Sequence, residues 1–173
     1  MRRVAVYLLV ISLALFSCKS KHDMLVGNWH AVKLENPEMD SFFINSQNYI
    51  DTIGRKNDES TNVRLYGVTN MDSLRKVLQT QYDTARAMQQ NAVTNTVFRF
   101  RKDSLAVLIF NGMVDSAKWH MDKDDKLVLE DLHDQNAAEK INMEILKLTD
   151  VVLKLRFKED SNFSVVTFRR VGK

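Results

Sequence analysis

The stretch that decides the fold is NTVFRFRKDSLAVLIFN, residues 95–111. Phe98 and Phe100 alternate with Arg99 and Arg101. Apolar side chains on every second residue mark a strand with one buried face. Residues 104–111 form a second run, rich in the aliphatic and aromatic types that fit a pleated surface. The link between the two runs, Lys102-Asp103, is polar and of hairpin length. A parallel neighbour needs a crossover of about a dozen residues, so this pair is antiparallel.

The same alternation continues to the C-terminus in five more runs, 116–122, 126–131, 139–149, 151–158 and 162–171. Turn-forming residues join them: Gly112, Asp122 to Asp125, Asp150 and Glu159-Asp160-Ser161. Upstream, VGNWHAVKLE (26–35) reads as one further strand. Seven consecutive strands on short turns form a meander. A meander of this length closes with the first strand into a barrel, which removes its edges. The expected class is mainly β within α+β: an eight-stranded antiparallel up-and-down barrel.

Between the first and second strands lies a helical insert, 37–93. Asn36 is a capping residue, Pro37 suits the first helical position, and Glu38 favours the positive end of the helix dipole. Met39, Phe42, Phe43, Ile50 and Ile53 share one helical face, and Gly54 is a stop. Residues 55–68 read as a polar connection. Thr69-Asn70 then caps a second helix whose stripe is Leu74, Val77, Leu78, Ala85, Met88 and Ala92. Two inserted helices are therefore expected. The sequence leaves open whether they cover a barrel mouth or pack on its outer wall.

The N-terminus has a different character. Arg2 and Arg3 precede Val4 to Phe16, apolar but for one serine and too short for the ~20 apolar residues of a membrane span. That is the form of a signal peptide, 1–17. Leu15-Phe16-Ser17-Cys18 resembles the lipobox of bacterial lipoproteins. The resemblance implies that Cys18, the single cysteine, carries lipid (palmitate among its acyl chains) and becomes the mature N-terminus. Residues 18–24 are then a tether, and 25–173 one domain. Lys19, where an aspartate would hold many such proteins at the inner membrane, implies the outer membrane, facing the periplasm.

Composition excludes several functions. Without Arg2 and Arg3 the 25 basic residues fall to 23, against 22 acidic, and no basic stripe interleaved with aromatics points to nucleic acid. A lone thiol forms no internal disulfide. His22, His30, His120 and His133 make no metal-ligand spacing, and DKDD (122–125) lacks the glycine and distal glutamate of a calcium loop. No C-x-x-C, G-x-S-x-G or phosphate-loop pattern occurs. No metal, cofactor or catalytic residue is expected.

Four cues in order resemble the lipocalin-like domains of small bacterial lipoproteins: Gly27-Asn28-Trp29, Lys118-Trp119 before LVLED, ILKLTDVVLKLRF (145–157) and VTFRRV (166–171). The resemblance implies that a late arginine, Arg169 or Arg170, packs over Trp29 at a closed barrel floor. The insert departs from a plain lipocalin, and its architecture is analogous to the helical cap of fatty-acid-binding proteins. An eight-stranded barrel is either filled by side chains or holds one small ligand. For a ligand, the candidate contacts are Trp29, Phe98, Phe100, Trp119 and Phe157. A carboxylate would want Arg99 or Arg169. The expected function is membrane-tethered binding of a small apolar or amphiphilic ligand. The alternative is a filled barrel that contacts another envelope protein.

Overall fold

A computed structural model describes residues 20–132, 140–159 and 162–172. The expected leader 1–17, the expected acylation site Cys18, and His133 lie outside the described residues. Eight strands run in sequence order around a closed antiparallel barrel. They are β1 (Gly27–Glu35), β2 (Val97–Phe100), β3 (Leu105–Phe110), β4 (Met113–Met121), β5 (Leu127–Asp131), β6 (Lys140–Leu148), β7 (Val152–Glu159) and β8 (Asn162–Arg170). The expected meander is present, with β1 closing on β8. Cross-strand partners share a face, so the inward row follows from register: Trp29↔Phe98, Ala106↔Ala117, Trp119↔Leu129, Met143↔Phe157 and Leu153↔Phe168. The register shifts between Ala31 and Lys33 and again between Ile145 and Lys147, bulges that bend β1 and β6.

One end of the barrel is solid. Trp29, Trp119, Leu127 and Leu153 are essentially inaccessible there, joined by Leu25 from a short helix, α1 (Lys21–Leu25). The indole N–H of Trp29 donates to the Leu25 carbonyl at 2.7 Å, and that of Trp119 to the Arg101 carbonyl at 3.0 Å. The His22 ring stacks on Trp119 with centroids 4.6 Å apart, and Lys21 pairs with Asp125 at 2.6 Å. Residues 21–24, which the sequence assigns to a tether, are thus helical and packed on the barrel. Leu25 supplies the reason: its burial under the floor removes an apolar side chain from water, worth about 1.5–3 kcal/mol.

Arg170, not Arg169, covers Trp29. Its guanidinium carbon sits 4.3 Å from the ring centroid, and its nitrogens donate to the Val26 carbonyl at 2.7 Å and to the Met24 carbonyl. Gly27 makes room for it. With φ at +144°, Gly27 holds a backbone conformation that side chains disfavour, and a Cβ there would lie 2.3 Å from an Arg170 nitrogen. Gly27→Ala is expected to destabilise the fold by about 2 kcal/mol or more, from local strain plus displacement of the arginine. Urea unfolding measures it, and a change under about 0.5 kcal/mol would show that the floor tolerates the intrusion.

The insert holds three helices: α2 (Pro37–Thr52), α3 (Glu59–Tyr66) and α4 (Met71–Thr94). Asn36 and Asn70 cap α2 and α4 as expected, accepting from the Met39 and Ser73 amides at 2.9 Å. α3 corrects the reading of 55–68 as a plain connection. It buries only Asn62, so it has no apolar stripe to announce it, and its signals are the Asp58 cap and the left-handed Gly67 stop. α2 and α4 pack together through Gln47 and Gln79, whose amides exchange hydrogen bonds at 3.0 and 3.3 Å. Phe43 meets Tyr82 edge-on at 5.6 Å, and Arg75 donates to the Ile53 carbonyl at 2.8 and 3.1 Å. The pair is fixed to the barrel at both ends: Asn36 donates to buried Ser164 at 2.9 Å, and the Ala31 amide donates to the Thr96 carbonyl at 2.9 Å. The barrel strands and its buried core lie between Leu25 and Arg170, so a chain starting at Lys19 contains the whole fold.

Candidate ligand cavity

The end opposite α1 is hollow. A cavity of about 770 Å³ lies between the barrel wall and the two long helices. Phe98, Met143, Leu155, Phe157, Val166 and Phe168 form its barrel side. Met39, Phe42 and Phe43 from α2, with Ala85, Met88 and Ala92 from α4, form the other. The helices therefore cover a barrel mouth, which decides between the two placements that the sequence leaves open. Phe42, Met88 and Phe110 line the cavity yet are 60%, 67% and 42% exposed, so the space opens to solvent between helix and rim.

Phe98 is the boundary between the solid and the hollow half. Its ring packs on Phe168 at 4.8 Å, on Phe110 at 5.5 Å and on Phe100 at 6.1 Å. Aromatic faces at these separations make a rigid base for the space above them. Of the residues expected to touch a ligand, Phe98 and Phe157 do line the cavity. Trp29, Phe100 and Trp119 do not: they share the inward face but pack the closed end, with Phe100 edge-on to Trp119 at 5.3 Å. Arg169 and Arg99 occupy outward strand positions, paired with His30 and with Asn28, and both are exposed. Neither lines the cavity. The contacts missed by sequence reasoning are those of the helices. Their signal was the Ala85, Met88 and Ala92 stripe, which looks the same over a hollow as over a packed core.

The lining carries no charged side chain. Its polar groups are Gln89, Thr96 and Asn111. Thr96 donates its hydroxyl to the Ala92 carbonyl at 2.9 Å. The amides of Gln89 and Asn111 make no side-chain hydrogen bond among the described residues. None of the groups with a perturbed titration lines the cavity. The Glu35 carboxyl is held below its ordinary value by hydrogen bonds from Lys33 and Lys154, and that of Glu130 by one from Lys140. Among the described residues, no three His, Cys, Asp or Glu side chains gather as a metal site. The geometry can enclose one apolar body and offer an amide or two to its polar end. No protein-family model, curated protein or solved structure matches the chain, so the reading of this site rests on its geometry.

Proposed function

We propose that this chain is a non-catalytic, lipid-anchored envelope protein whose barrel holds one small apolar or amphiphilic ligand. The observation that carries the ligand reading is the cavity of about 770 Å³, almost wholly apolar and open at one rim. Binding sites for small molecules fall in the range of ~300–1,000 Å³, concave and mostly apolar with few polar groups. A filled barrel would serve the alternative role, docking to another envelope protein. Here only the floor is filled, which favours the ligand reading. The anchor rests on the lipobox resemblance at Cys18, and Lys19 points that anchor to the outer membrane, facing the periplasm.

Native mass spectrometry tests both parts. The protein purified from its own membranes should have the mass of residues 18–173 with acyl chains on Cys18. The chain from Lys19 onward, purified gently, should carry a mass excess that denaturation releases into organic solvent. It should also take up Nile red, an uncharged apolar dye, with enhanced fluorescence. A bare mass with no dye uptake defeats the ligand reading and returns the barrel to the docking role. An unmodified, uncleaved N-terminus defeats the anchor.

A further inference from the structure

We infer that the cavity selects a long-chain ligand whose polar end is uncharged, and discriminates against carboxylates. This deepens the ligand reading above and rests on it. Binding the chain of an amphiphile draws its head towards the lining, and what the lining offers a head group decides which ligand stays. A carboxylate taken from water needs a cation or several donors, or its desolvation outweighs the gain from its chain.

Among the described residues the lining offers no cation, and its donors are the Gln89 and Asn111 amides. Arg99 and Arg169, the cations that would suit an anion, face outward. Arg170 is committed at the opposite end, to Trp29 and two backbone carbonyls. Lys154 is held outside by Glu35 at 2.9 Å, and Arg156 is paired with Glu144. Arg86 lies against Phe43 and Tyr82 and is not part of the lining.

An anion in this lining meets no cation among the described residues. The amides of Gln89 and Asn111 can each both donate and accept, which suits an alcohol, ester or amide.

The test uses the chain from Lys19 onward, loaded with Nile red at pH 8, and two competitors of equal chain length. 1-Dodecanol and sodium dodecanoate differ only at the head, so the apolar contribution is held constant. Dodecanol is expected to displace half the dye at a concentration at least about tenfold below that of dodecanoate. Gln89→Arg, which places a cation in the lining, is expected to strengthen dodecanoate at least about tenfold and so close or invert the gap. Dodecanoate displacing the unsubstituted protein's dye as well as dodecanol does, or better, overturns the inference. Dye that binds but yields to neither compound also overturns it. Failure of the dye itself to bind is a separate result, and it falls on the ligand reading.

Discussion

Trp29→Ala is expected to cost the fold about 3–5 kcal/mol, the range for deleting a buried aromatic ring. The indole is wholly buried in the core cluster at the barrel floor. Its N–H holds the Leu25 carbonyl and so fixes the end of α1. Its face carries the Arg170 guanidinium, an interaction worth about 0.5–2 kcal/mol. Alanine leaves a void, an unpaired carbonyl and a partly buried cation together. Small domains are stable by only ~5–15 kcal/mol, so the variant loses a large share of its margin. Denaturant unfolding reads the loss, and Trp29→Phe, which keeps the ring but not the donor, should recover more than half of it. A loss below about 1 kcal/mol for alanine would mean that the floor is not organised around this residue.

Ala92→Trp is expected to empty the cavity of ligand without harming the fold. Ala92 lies in the last turns of α4 and lines the space from above. An indole there occupies volume that a ligand needs, and Nile red affinity should fall at least about tenfold, or ~1.4 kcal/mol. Filling a cavity commonly adds about 0.5–2 kcal/mol of stability, so thermal unfolding should stay level or rise. That pairing of outcomes separates a blocked site from a damaged protein. Unchanged dye binding would place the ligand elsewhere, the groove between α2 and α4 beside Tyr49 and Leu78 being the next place to look.

The barrel was legible because strand alternation is a local signal that the fold respects. Every strand from β2 to β8 lies where its period-two run does, with ends moved by a few residues. β4 starts earlier than its pattern, at Met113, because its upper third is exposed on both faces and needs no alternation. The choice between Arg169 and Arg170 was also available. Val166 and Phe168 point inward, and two residues on, so does Arg170. What was not legible was the division of one inward face into a packed floor and a hollow top. Phe98 and Phe100 have identical sequence credentials, yet one borders the cavity and the other is sealed beneath it. That difference depends on where α2 and α4 land, and a helix stripe does not state what lies under it. The role of Leu25 was hidden for a related reason: it precedes the first strand and belongs to no repeating pattern.

With a lipid on Cys18, the position of α1 would set the direction from which a ligand reaches the cavity. Cys18 stands two residues before Ser20, so a lipid on it would hold the start of α1, at the floor end of the barrel, within about 7 Å of its attachment point. Strands of up to nine residues, tilted as in other barrels, then lift the open rim roughly 20–25 Å away from that end. A membrane holding such a lipid would lie on the blind side. A ligand would not diffuse sideways out of the host leaflet into this cup. It would arrive from the aqueous compartment, handed over by whatever faces the rim, and the anchor would act as a mooring post and not as a source of supply.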